Sequence, residues 1–297
     1  MSALLLHFVD EQAAAERLAQ ACALPLAAIS SHRFPDEELK LTLPGAAVNP
    51  PRETLVIYRS LDRPNEKLIE LLLVARHARQ LGVGRILLVT PYLGYMRQDI
   101  AFQPGEIVSQ KIIGSFLAEL FDAVITVDPH LHRISRLQEA VPLTQAIALS
   151  AAPSLAALVA QRRQQPLLIG PDAESAQWVE SAAQSQGLDY AVCSKVRRGD
   201  TEVEIALPDV AVEGREVVLL DDVASSGHTL AAATRLLLAA GARSVDVAVT
   251  HALFAGDALQ VMAAAGIGEV WSTDCIAHSS NAVPMAPLLA QALLPLL

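Results

Sequence analysis

Short runs of Val, Ile and Leu recur between longer segments of helical periodicity, and this alternation restricts the chain to parallel sheets covered by helices. The runs fall at residues 55–58, 86–90, 124–127, 167–169, 217–220 and 245–250. Parallel neighbours need crossover connections, and residues 66–81 and 229–240 supply apolar side chains at helical spacing for that purpose. Each helical segment stops at a glycine, Gly82 or Gly241, suited to the left-handed residue that closes a helix.

Those two glycines expose an internal repeat. Gly82-Val-Gly-Arg-Ile-Leu-Leu-Val-Thr90 matches Gly241-Ala-Arg-Ser-Val-Asp-Val-Ala-Val-Thr250 in layout, and Asp122-Ala-Val-Ile-Thr-Val-Asp128 matches Gly268-Glu-Val-Trp-Ser-Thr-Asp274. The first copy holds more residues between these landmarks, and the excess falls around Arg97 to Gln110. A duplicated α/β unit predicts two similar domains, each a mostly parallel sheet flanked by helices with its own crevice at the strands' carboxyl ends. The expected divisions are 1–146 and 147–285, with 286–297 packing back on the first domain.

At 297 residues the chain is long enough for two domains of ordinary size. Aromatic residues make up only 4% against 52% hydrophobic, so the cores should be aliphatic. A formal charge of −10 argues against nucleic acid or an anionic membrane surface as partner, and confines any anion site to a local cluster. The apolar stretch 286–297, interrupted by Gln291, is well short of the roughly 20 residues that span a bilayer. Residues 1–9 lack the basic flank of a secretory signal, and Cys22, Cys193 and Cys275 form no C-x-x-C pair. A cytoplasmic protein with reduced, buried thiols is expected.

The strongest chemical signal is Val217-Val-Leu-Leu-Asp-Asp-Val-Ala-Ser-Ser-Gly-His-Thr229, a strand ending in two carboxylates and then a small-residue loop that opens a helix. Backbone N–H groups from Ser225 to Thr229, with the hydroxyls of Ser225, Ser226 and Thr229, can wrap a phosphate at a helix N-terminus. Asp221 and Asp222 leave the strand on opposite faces, so one of them addresses a sugar. The first copy's equivalent turn, Tyr58-Arg-Ser-Leu-Asp-Arg-Pro-Asn-Glu66, lacks the acidic pair, so only the second domain should hold a sugar phosphate. Asp128-Pro-His-Leu-His132 follows another strand. If extension continues past Pro129, Asp128, His130 and His132 share one face, an arrangement suited to a divalent ion or a phosphate.

The loop at 221–229 resembles the phosphoribosyl diphosphate signature of type I phosphoribosyltransferases. That resemblance implies a ribose 5-phosphate site built from Asp221, Asp222, Ser225, Ser226, Gly227, His228 and Thr229. Further motifs narrow the family. Tyr92-Leu-Gly-Tyr-Met-Arg-Gln-Asp99 with the following Phe102-x-Pro-Gly-Glu-x-x-Ser109 resembles the nucleotide loop of ribose-phosphate diphosphokinases, of the archaeal-like type. It implies ATP contacts by Arg97, Gln98 and Asp99. Phe34-Pro-Asp-Glu-Glu38 resembles that family's F-x-D-x-E element, which implies that Phe34, Asp36 and Glu38 serve the nucleotide across a subunit contact of a homodimer or higher homo-oligomer.

The same resemblance makes Mg²⁺ the expected cofactor, held by His130 and Asp172 with Asp128 beside them, and His130 a nucleotide contact and catalytic group. Asp172 lies in Gly170-Pro-Asp-Ala-Glu-Ser175, where Glu174 and Ser175 stand at positions that many relatives give to glycine. Cys193-Ser-Lys-Val-Arg-Arg-Gly-Asp-Thr-Glu-Val-Glu-Ile205 resembles the family's mobile catalytic loop, which makes Lys195 and Arg197 the catalytic cations. The implied activity is transfer of the β,γ-diphosphoryl group of ATP to the C1 hydroxyl of ribose 5-phosphate. The alternatives are a phosphoribosyltransferase, which shares the Asp-Asp loop, and a non-catalytic regulatory partner of true synthetases.

Overall fold

The computed structural model describes residues 3–198 and 202–297, without the side chains at 195–198 and 202–204. The chain divides into two compact units, Met1–Leu149 with Met285–Leu297, and Ser150–Pro284.

The first unit runs β1 (Ala3–His7), α1 (Gln12–Cys22), β2 (Leu26–Ala28), β3 (Ser30–Arg33), β4 (Leu39–Thr42), α2 (Gly45–Val48), β5 (Thr54–Tyr58), α3 (Pro64–Gln80), β6 (Arg85–Val89), α4 (Ser109–Leu120), β7 (Ala123–Val127) and β8 (Ala146–Leu149). Six strands form one parallel sheet in the order β2-β1-β5-β6-β7-β8. Helices on both faces explain why β1, β5 and β7 are buried at every position and read as unbroken apolar runs. Leu4, Leu6, Leu55, Ile57, Ile86 and Leu88 form the centre of one packed layer.

The second unit contains α5 (Ala152–Arg162), β9 (Leu167–Gly170), α6 (Ala176–Gln186), β10 (Asp189–Val192), β11 (Ser194–Arg198), β12 (Glu202–Ala206), β13 (Glu216–Ala224), α7 (His228–Ala239), β14 (Ser244–Ala252), α8 (Ala258–Ala264), β15 (Val270–Thr273) and β16 (Asn281–Val283). Its sheet order, β10-β9-β13-β14-β15-β16, repeats that of the first unit strand for strand. The repeated landmarks coincide as well, since Gly82 and Gly241 both follow a helix at φ 89°. In each unit the chain order reverses beside the first strand, between β1 and β5 or between β9 and β13. Open α/β sheets form their ligand crevice at that reversal, outside the strands' carboxyl ends.

After β16 comes α9 (Ala286–Leu293), which belongs to the first unit. Leu289 and Leu293 are buried, and Arg85 Nη1 donates to the carbonyl of Leu296 at 2.7 Å. Two antiparallel hairpins stand apart from the sheets, β3–β4 and β11–β12. Among the described residues no helix is long and apolar enough to cross a membrane.

One expectation fails at the end of β7. Extension does not continue past Pro129, because Asp128 turns to φ 36° as its N–H bonds to the carbonyl of Leu149 at 2.8 Å. The shared face argued from alternation is therefore absent. The turn instead folds the two imidazoles together, with the His130 and His132 ring centroids 3.9 Å apart and nearly perpendicular.

Candidate functional site

The crevice of the second unit is built where β13 hands over to α7. Gly227 adopts φ 73° immediately before His228, a conformation that L side chains resist, and it aims the first N–H groups of α7 outward. A Cβ on Gly227 would sit 2.9 Å from Met262 Cγ and 3.1 Å from the Ala258 carbonyl, so the loop is pressed against α8. Ala255 N–H donates to the Ser225 carbonyl at 2.9 Å and anchors the loop's other edge. Ser226 and His228 are exposed, while Ser225 and Thr229 are partly exposed. The result is a concave set of amide and hydroxyl donors at the positive end of a helix, suited to a phosphate.

Two loops bring carboxylates to this crevice. Asp222 is buried and Asp221 partly exposed, consistent with alternate faces and with Asp221 as the one available to a ligand. Asp172 follows β9, is buried, and accepts from the Glu174 N–H at 3.0 Å. Ser175 Oγ donates to the Asp172 carbonyl at 2.6 Å, so the residues that replace glycine are used to tie this turn down. Burial, then the charges of Asp222 and Asp172, push the Asp221 carboxyl well above the usual carboxylate range. Acids crowded in this way are the donor set that a hard divalent cation satisfies, so Asp172 and Asp221 fit a magnesium site. Burial first and Asp172 second raise the neighbouring Cys193 thiol to about 11, which leaves it protonated and inert.

Beyond Cys193, β11 and β12 pair with Lys195 opposite Ile205 and Arg197 opposite Val203. The side chains of Lys195 and Arg197 lie outside the described residues.

In the first unit, the excess residues between β6 and α4 form a loop held from within. Gln110 Nε2 donates to the Met96 carbonyl at 3.1 Å, Gln98 Nε2 to the Ile100 carbonyl at 3.0 Å, and the Phe102 N–H to Glu106 Oε2 at 2.6 Å. Arg97 is exposed. Asp99 pairs with Arg133 at 2.5 Å, yet its second oxygen, Oδ2, is buried with no partner and remains an open acceptor. Arg133 escaped the sequence reading because nothing in its local pattern marks a bond to a loop elsewhere in the chain. Asp128 is buried, and His130 and His132 are partly exposed behind it.

Phe34 caps the β3–β4 hairpin, where it is 41% exposed and meets His32 edge to face. That exposure leaves its ring outside the core. Its N–H donates to the Glu38 carbonyl at 2.9 Å, and Asp36 Oδ1 accepts from the Glu38 N–H at 3.3 Å, so the five residues form a closed turn. Beside it lies a cavity of about 460 Å³ lined by Phe34, Leu41, Leu43, Leu73 and His77 among others.

Comparison with known proteins agrees with this architecture. Residues 4–120 match the N-terminal domain of ribose phosphate pyrophosphokinase and residues 143–261 the phosphoribosyl transferase domain. The ribose-phosphate pyrophosphokinase of Methanopyrus kandleri is 34% identical over 279 residues, covering 93% of each chain. That of Halobacterium salinarum is 33% identical over 291 residues, 98% of this chain and all of the relative. A crystal structure of phosphoribosylpyrophosphate synthetase from Mycobacterium smegmatis superposes with a TM-score of 0.82 at 21% identity, covering 98% of this chain and 97% of the other.

Proposed function

The chain belongs to the ribose-phosphate pyrophosphokinase (diphosphokinase) family, and from that membership we propose that it makes phosphoribosyl diphosphate and AMP from ATP and ribose 5-phosphate. The observation that carries the reading is the β13–α7 handover, where Gly227 opens a helix N-terminus beside the exposed face of Asp221. In this reading Ser225, Ser226, His228 and Thr229, with the Gly227 amide, hold the 5-phosphate. Asp221 accepts from the ribose hydroxyls, and buried Asp222 supports the turn. Arg97, Gln98 and Asp99 hold ATP, with the unpartnered Oδ2 of Asp99 ready to accept from a nucleotide N–H or O–H. Phe34, Asp36 and Glu38 serve the adenine of a neighbouring protomer.

The C1 hydroxyl of ribose 5-phosphate attacks the β-phosphorus of ATP, the bond to the α-phosphate oxygen breaks, and AMP leaves. Negative charge spreads over the moving group, and Lys195 and Arg197 stabilise it. Asp172 and Asp221 are the carboxylates that would hold Mg²⁺, with His130 and Asp128 as the further proposed ligands. Bound there, the ion would neutralise phosphate charge.

Incubation with ATP, Mg²⁺ and ribose 5-phosphate should release AMP and phosphoribosyl diphosphate in equal amounts. No AMP, or AMP without the sugar diphosphate, would overturn the reading. Lys195→Ala should lower kcat about 100-fold or more with KM for ATP little changed, because a contact formed in the transition state is removed.

A further inference from the structure

At the strand-order reversal of the first unit, the end of β5 carries buried charges where the second unit has its acidic pair. The register locates the equivalence: Tyr58 pairs with Val89 ahead of Thr90, as Asp221 pairs with Val249 ahead of Thr250. Tyr58 and Arg59 therefore occupy the positions of Asp221 and Asp222. Arg59 is 4% exposed, lies 4.3 Å above the Phe8 ring, and pairs with Glu70 at 2.5 Å, Asp10 at 2.6 Å and Glu11 at 3.3 Å. Lys67, also buried, pairs with Asp62 at 2.5 Å and with Glu11 at 3.3 Å. Ions this deeply buried persist only when every charge is met, and here each cation has at least two acids.

The network leads out through Ser60. Lys67 Nζ donates to the Ser60 carbonyl at 2.8 Å while the Ser60 N–H donates to Glu11 Oε1 at 2.8 Å, so the peptides on either side of Ser60 are both gripped. Ser60 Oγ in turn accepts from the Tyr92 N–H at 3.2 Å, and the Leu61 N–H donates to the Tyr92 carbonyl at 2.8 Å. Tyr92 begins the loop that leads to Arg97, Gln98 and Asp99. We infer that Lys67 and Glu11 are positioning residues, acting through Ser60 to fix where the nucleotide loop leaves the sheet. The buried charges at the end of β5 thereby support the loop assigned to ATP in the same unit. This inference rests on the assignment of the 92–110 loop to ATP.

Amide hydrogen exchange and steady-state kinetics on the full-length enzyme, with both substrates varied, test it. Lys67→Met should accelerate exchange at 92–96 and raise KM for ATP about tenfold, equivalent to about 1.4 kcal/mol, while KM for ribose 5-phosphate stays put. Lys67→Arg should restore both values. Ser60→Ala, which deletes the hydroxyl that accepts from the Tyr92 N–H, should move the same two readouts in the same direction and decides the matter if Lys67→Met fails to fold. Unchanged exchange at 92–96 in the folded variants, or a parallel rise in both KM values, overturns the inference. Arg97→Ala serves as the reference: if it leaves KM for ATP unaltered, the ATP assignment is what fails, and exchange at 92–96 alone then decides the coupling.

Discussion

Gly227 and Asp221 illustrate how single residues in the second unit trade stability for a binding surface. Gly227→Ala must adopt φ 73° with a Cβ 2.9 Å from Met262 Cγ, and left-handed geometry alone costs roughly 1–2 kcal/mol. KM for ribose 5-phosphate should rise at least about tenfold for that loss, and a variant with unaltered kinetics would separate the loop from the sugar phosphate. Asp221 gives a pH signature. Its folded carboxyl titrates above the unfolded value, so its stabilising contribution is full at pH below the unfolded pKa and disappears as pH climbs through the raised folded value. Ligand-free Asp221→Asn should therefore melt higher than the parent near neutrality, with the difference vanishing toward acid pH, while its turnover collapses. Equal melting temperatures at all pH values would mean that the three acids do not repel. The motifs around Asp172 and at 221–229 were legible in the sequence because each sits at a strand end followed by a helix. Asp128 was misread because its positive φ is imposed by a bond to the neighbouring strand β8, which no local pattern announces.

The central strands were legible to within a residue or two at most ends, since burial on both faces leaves an unmistakable apolar run; β13 and β14 extend further, to Ala224 and Ala252. The β3–β4 hairpin was not, because all four residues of β3 are exposed and polar and follow no alternation. The network around Arg59 was invisible for another reason. The turn 58–66 could be seen to lack an acidic pair, but its counter-charges come from the segment just before α1 and the middle of α3. At the far edge, α9 covers the first unit with Leu293 fully buried. Leu293→Ala should destabilise by about 2–5 kcal/mol, and exchange should quicken in α1 and β7 while the second unit's strands keep their protection. Loss of protection confined to β13 and β14 would contradict the docking of α9.

For the molecule as a whole, the charge of −10 argues against a broad basic face, and among the described residues Arg59, Lys67 and Arg163 are held in local clusters beside acids. Assignment of Phe34, Asp36 and Glu38 to a neighbour's nucleotide requires more than one copy, so light scattering at assay concentrations should give at least twice the mass of a single chain. A monomer that turns over normally would remove that role.

Identical strand order in two units with opposite charges at the equivalent strand ends also carries a consequence. Restoring acids at Tyr58 and Arg59 would set new carboxylates among Asp10, Glu11 and Glu70 with Lys67 as the remaining buried cation, and stripping one partner from such a cluster costs about 3–5 kcal/mol. No single substitution leads back. The division of labour between the halves is a ratchet, closed behind the protein by its own interior charges.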